Sequence, residues 1–185
     1  MMLGHRYTNV IIHALFSTKD CKPLLSAEVK SELLDYLGSS VNRLGGQSIA
    51  VNGMADHVHM LFVQPAALSL LYVMEKIKAN SLGWVKRRWT YKGGFGWQTG
   101  YAAFSVSKSD VDRVKQYIAE QEEHHRKITF QEEVLQLTSG PDAIPSAAEG
   151  REIAQAINPP SPIAEGTVGD NSPLSLGEGG PQSGG

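Results

Sequence analysis

Residues 57–63, HVHMLFV, constrain the fold more than any other stretch, because polar and apolar side chains alternate there over the length of one strand. Successive side chains of an extended chain point to opposite faces, so His57 and His59 share one face and Val58, Met60 and Phe62 the other. One face can pack into a core while the other presents two imidazoles. A strand of this kind needs neighbours to pair with and a layer to bury its apolar side.

The neighbouring sequence supplies both. RYTNVIIHALFST (6–18) is rich in β-branched and aromatic residues and predicts a strand. Ser26 is placed to cap a helix whose apolar positions Val29, Leu33, Leu37, Val41 and Leu44 recur at helical spacing until Gly45-Gly46 ends it. QSIAVN (47–52) and HVHMLFV (57–63) lie close enough to form a hairpin around residues 53–56. Beyond Pro65, Ser69 predicts a second helix with Leu70, Val73, Met74, Ile77, Trp84 and Val85 on one side. Segments 95–100 and 101–107 read as extended. Ser109 with Asp112 predicts a capping box opening a third helix that runs on through 114–125. The order βαββαβ plus a terminal helix predicts an α+β protein, a ferredoxin-like antiparallel sheet covered by helices.

Composition divides the chain after Leu137. The last 48 residues hold 9 Gly, 7 Pro and 6 Ser, too little apolar surface to offset the entropy of ordering them. We expect residues 1–137 to form the folded domain and 138–185 a disordered acidic tail. The tail masks the charge of the domain. Residues 1–137 carry 16 basic and 13 acidic side chains, a net of +3, whereas the tail sets Arg151 against six carboxylates. The lone Cys21 forms no intramolecular disulfide, and the apolar run 10–16 is too short to span a bilayer. A cytoplasmic protein without a membrane partner is expected.

Two same-face histidines offer neutral imidazoles to a divalent ion, yet two ligands seldom complete a catalytic centre. An isolated pair is otherwise explained as partly buried histidines satisfied by hydrogen bonds. The segment VKQYIAEQEEHH (114–125) supplies further groups: Tyr117 and Gln121, four apart, are neighbours on a helical face. His124 and His125 follow them as spare ligands, phosphate contacts or solvated residues near the helix end.

HVH at 57–59, YIAEQ at 117–121 followed by HH, and FGWQTGYAAFSVS at 95–107 together resemble the single-tyrosine HUH transposases of bacterial insertion sequences, especially the REP-associated tyrosine transposases. The likeness runs over roughly residues 7–135. It implies that His57, His59 and Gln121 hold a divalent metal, Mg2+ or Mn2+, and that Tyr117 attacks a phosphodiester of single-stranded DNA. The implied product is a 5′-phosphotyrosine with a free 3′-hydroxyl, from which another 3′-hydroxyl rejoins the strand. A phenol with an ordinary pKa of ~10 is a weak nucleophile at neutral pH, so an ion that neutralises the phosphate and stabilises the leaving oxygen matters.

Lys76, Lys78, Lys86, Arg87, Arg88 and Lys92 fall between residues 75 and 92 against Glu75, interleaved with Trp84, Trp89 and Tyr91. Cations for phosphates and aromatic faces for unpaired bases make a single-strand surface. Lys78, Lys86, Arg87, Arg88, Trp89 and Lys92 are the expected DNA contacts, and Trp84 is assigned to core packing. The resemblance adds a DNA hairpin and a homodimer as expected partners. Two other functions compete with a nicking and joining enzyme: a silent single-strand nucleic-acid-binding module, and a hydrolase in which Tyr117 only orients water.

Overall fold

The structure, a computed structural model, describes residues 7–91 and 94–139. Four strands, β1 (Ile11–Ser17), β2 (Gln47–Gly53), β3 (His57–Val63) and β4 (Ala102–Val106), form one antiparallel sheet in the order β2-β3-β1-β4. Helices α1 (Ala27–Arg43) and α2 (Leu70–Arg88) complete the expected α+β, ferredoxin-like βαββαβ order. Three shorter helices follow β4: α3 (Val111–Ala119), α4 (Gln121–His124) and α5 (Phe130–Thr138).

Side-chain alternation divides the sheet into two working faces. Ile12, Ala14 and Phe16 of β1 with Val58, Met60 and Phe62 of β3 pack against Val29, Leu33, Leu37 and Val41 of α1 and Val73, Met74, Ile77 and Val85 of α2. The opposite face carries His13 and Leu15 of β1 and His57, His59 and Leu61 of β3. It is covered by Ile118 of α3 and by Phe130 and Val134 of α5. The register pairs Leu15 with His59 and Ser17 with His57, which locks the parity of the two central strands together.

The sequence-derived caps of the first two helices are present. Ser26 accepts from Val29 N–H and Ser69 from Tyr72 N–H, relieving two orphan donors. Three expectations need correction. The segment 95–100 forms no regular strand and touches the sheet only through a bridge between Thr18 and Trp97. Ser109 and Asp112 make no capping box: a 3-10 turn over Lys108–Asp110 precedes α3, and the Ser107 hydroxyl bonds to Asp110 instead. The third helix also stops at Ala119, where Asn52 of β2 donates its Nδ2 to the carbonyls of Ile118 (2.7 Å) and Ala119 (3.3 Å). A side chain from the sheet thereby caps the helix end, and the chain restarts as α4.

Helix α5 has a capping box, with Thr129 and Glu132 satisfying each other's backbone N–H groups. Its last residue, Thr138, is buried, so the folded chain runs one residue past the composition boundary. The rest of the expected tail, 140–185, lies outside the described residues. Among the described residues no helix is long and apolar enough to cross a membrane.

Gly53 sits where β2 closes on β3. A Cβ there would meet the His57 carbonyl oxygen at 2.3 Å and Val58 Cα at 2.9 Å, both backbone atoms that cannot swing aside. Gly53→Ala is expected to cost about 1–3 kcal/mol of unfolding free energy, measured by urea titration. An unchanged midpoint would mean that the hairpin is looser than this contact implies.

Candidate functional site

Parity brings His13, His57 and His59 to the same face, and the short helices after β4 close over them. All three histidines are buried. The Nδ1–H of His57 donates to Asp56 Oδ1 at 2.7 Å, since a carboxylate only accepts. That leaves Nε2 facing the interior. Nδ1 of His59 lies 3.0 Å from Nε2 of His13, so the two rings share a proton. Burial, with a smaller contribution from neighbouring His59, pushes the His13 pKa down to about 3, keeping this ring a neutral hydrogen-bond partner. Burial likewise lowers the pKa of His59, against the opposing pull of Glu133.

At the centre stands Glu133 of α5, 1 % exposed, whose two oxygens face different groups. Oε2 lies 3.0 Å from His125 Nε2, 3.3 Å from His59 Nε2 and 4.0 Å from His57 Nε2. Oε1 accepts the Tyr117 hydroxyl in a short hydrogen bond and the Gln121 amide Nε2 at 3.1 Å. Burial alone would raise the pKa of this carboxyl. Hydrogen bonds from His125, His59 and Tyr117 outweigh it and hold the group ionised, well below the ordinary carboxylate range. The same contact, added to burial, pushes the Tyr117 phenol above its usual value. His125 is pushed upward despite its burial, because it donates to Glu133.

The polar inventory fits a divalent ion. Nε2 of His57 and Oε1 of Gln121 are buried without a hydrogen-bond partner, although buried polar groups ordinarily find one, and Nε2 of His59 has only the Glu133 carboxylate, 3.3 Å away. His57, His59, His125 and Glu133 each offer a ligand atom, all within 4.8 Å of one another, so this group can hold a metal. The ligand-bearing rings also have partners on their other nitrogen, the arrangement that orients histidines toward an ion. Two clefts flank the centre. One of about 430 Å³ opens beside His57, His125 and Phe130, and one of about 190 Å³ beside Tyr117 and His124; Lys127 lines both.

Of the residues singled out from sequence, Tyr117, His57, His59 and Gln121 converge here. Glu133 was missed, and His125 had been left undecided. The sequence signal nearest Glu133 was the Thr129–Glu132 capping box, which marks where its helix begins but not that Glu133 turns inward. The expected DNA contacts lie elsewhere, because α2 covers the opposite face of the sheet. Lys86, Arg87 and Arg88 are exposed at its C-terminal end. Arg88 lies over the rings of Trp84 and Trp89 and pairs with Glu32 at 2.5 Å. Trp89 is half-buried against Trp84, which itself stacks on Tyr36 at 4.7 Å and packs on the core. Lys78 is tied into the fold, its ammonium donating to the carbonyls of Gln98 and Gly100, and burial pushes its pKa down to about 8. Lys92 lies outside the described residues.

The family described as transposase, IS200-like, matches residues 6–121. The chain belongs to the IS200-like transposases. The match ends at Gln121 and contains His57, His59 and Tyr117, while His125 and Glu133 lie beyond it. Among solved structures, a candidate transposase from Deinococcus radiodurans R1 is 25% identical, with 65% of this chain and 98% of that chain covered and a TM-score of 0.49. A REP-associated tyrosine transposase bound to a REP hairpin is 12% identical, with 67% of this chain and 74% of that chain covered and a TM-score of 0.50. The second likeness bears on the fold alone. No curated protein matches the chain. IS200-like membership makes this a transposase, an enzyme class that cleaves and transfers DNA strands.

Removing the central carboxylate should be felt by the whole fold. Glu133→Ala strands the Gln121 amide and His125 Nε2 and leaves the Tyr117 hydroxyl only His124, and is expected to cost about 3 kcal/mol in the ion-free protein. Chemical denaturation measures this. A variant as stable as the parent would mean that water already serves those groups.

Proposed function

We propose that this chain is a metal-dependent single-stranded DNA transposase, carried by residues 1–137, in which Tyr117 cleaves and His57, His59 and Gln121 belong to the ion-binding centre. The observation that carries the reading is the meeting of a phenol with two buried imidazole nitrogens, that of His57 unpartnered and that of His59 facing only the Glu133 carboxylate, around one point. The Glu133 contacts account for Tyr117, His59 and His125 but leave Nε2 of His57 and Oε1 of Gln121 unpaired. Buried polar atoms left without partners cost stability, and chains retain them where chemistry requires it.

The Tyr117 oxygen gives up its proton to solvent as it attacks the phosphorus of a scissile phosphodiester, the bond from phosphorus to the 3′-oxygen breaks, and that oxygen takes up a proton from solvent and leaves as a 3′-hydroxyl, with no net change in protons. The strand remains on the protein as a 5′-phosphotyrosine until a 3′-hydroxyl reverses the step. Glu133 Oε1 holds the phenolic hydrogen, which orients the lone pairs of the attacking oxygen away from that carboxylate. Asp56 and His13 keep His57 and His59 turned inward through their Nδ1 atoms. A bound Mg2+ or Mn2+ supplies charge neutralisation at the phosphate and at the leaving oxygen. Lys127, between the two clefts, is placed to meet a strand passing from one to the other.

DNA binding is assigned to Lys86, Arg87, Arg88 and Trp89, with Lys78 and Lys92 as the remaining candidates. Because α2 lies across the sheet from the histidines, a hairpin stem held there reaches the centre only by its single-stranded flank passing round the sheet edge. The solved relative bound to a REP hairpin supports a hairpin as the partner, and a homodimer remains part of the proposal.

Incubation with labelled, hairpin-bearing single strands and Mn2+ is expected to give a covalent adduct that survives denaturation and disappears with chelator. Tyr117→Phe should abolish it. Adduct at the parent level in that variant would remove Tyr117 from the mechanism; free 5′-phosphate ends would indicate a hydrolase, and chelator-insensitive binding without cleavage a silent binding module.

A further inference from the structure

We propose that the ion of this centre is held by four protein atoms, Nε2 of His57, His59 and His125 and Oε2 of Glu133. Half of the ligand set then comes from chain beyond Gln121, where the family match ends. The inference rests on the reading above only in taking His57 and His59 to face an ion.

Geometry is the first argument. A tetrahedral ion with bonds of about 2.1 Å separates its ligand atoms by roughly 3.4 Å. Glu133 Oε2 stands 3.0, 3.3 and 4.0 Å from the Nε2 atoms of His125, His59 and His57, a spread that brackets this edge. All four atoms fall within 4.8 Å of one another.

Orientation is the second. Each ring is already engaged at Nδ1: His57 by Asp56 Oδ1, His59 by His13 Nε2, and His125 by the Ile128 carbonyl at 3.0 Å. Nε2 is therefore the nitrogen that all three rings turn toward the centre, and the partners on Nδ1 hold them there. The carboxylate is aimed in the same way. Gln121 Nε2 and the Tyr117 hydroxyl occupy Oε1, fixing the plane of the group and leaving Oε2 to the imidazoles. Phe130, stacked on His57 at 4.3 Å, anchors the first turn of the helix that delivers Glu133.

The chemistry of the set defines the ion. Three imidazoles and one carboxylate favour a divalent transition ion over Mg2+, which prefers oxygen ligands and retained water. Four protein ligands fill the coordination sphere of tetrahedral Zn2+, whereas a six-coordinate ion keeps two positions for phosphate oxygens. Zn2+ should bind and block cleavage.

The full chain, stripped of metal, is titrated with Co2+ by visible absorption and with Zn2+ by calorimetry. One ion per chain is expected. His125→Gln and Glu133→Gln should each weaken both ions by more than about 10-fold, the lower bound for losing even a group that only orients a ligand. X-ray absorption at the zinc edge of the unaltered chain, which depends on no variant folding, should count three imidazoles. Two imidazoles, or parental affinity in either glutamine variant, would overturn the four-atom site. If His57→Ala still removed the ion in that case, the proposed function would stand without it.

Discussion

Everything in this molecule depends on the pairing of β1 with β3 in one register. Leu15 faces His59 and Ser17 faces His57 across the ladder, so the odd positions of both strands point to one side and the even positions to the other. A slip of β3 by one residue would drive His57 and His59 into the layer occupied by α1 and α2 and turn Met60 and Phe62 away from it. The core and the histidine centre are two sides of one constraint, and neither can be altered without the other.

Within the centre, a buried carboxylate has to be compensated, and the compensation organises the surrounding chain. Tyr117 from α3, Gln121 from α4 and His125 from the following loop all reach Glu133, although α3 and α4 are separated by a helix break. The break itself is set by Asn52 of β2, which takes the last carbonyls of α3. Tyrosine and glutamine therefore owe their proximity to the sheet and to a shared acceptor, and not to one continuous helical face.

The parts of this arrangement that were legible in the sequence are those written in local periodicity. Alternation in HVHMLFV gave the shared face of His57 and His59, and the capping serines at 26 and 69 marked where α1 and α2 begin. The third helix misled because its end is decided by a side chain more than sixty residues away. Glu133 was hidden for a similar reason: a lone glutamate in a charged segment looks solvated until tertiary packing buries it. His13 was visible only as an interruption of an apolar strand. Its role depends on a ring from another strand, and no local rule encodes that pairing. The basic run on α2 was easily seen, but its side of the sheet followed only from the assembled fold.

The division at Gln121 has a further consequence. The segment that defines the family carries Tyr117 and two of the imidazoles, while a separate helix, hung on a short connector from His125 to Thr129, supplies the carboxylate that binds them together. The centre is bipartite, so its chemical character resides partly in a detachable module. A change of length in that connector would retune the centre while leaving every residue of the defining segment intact.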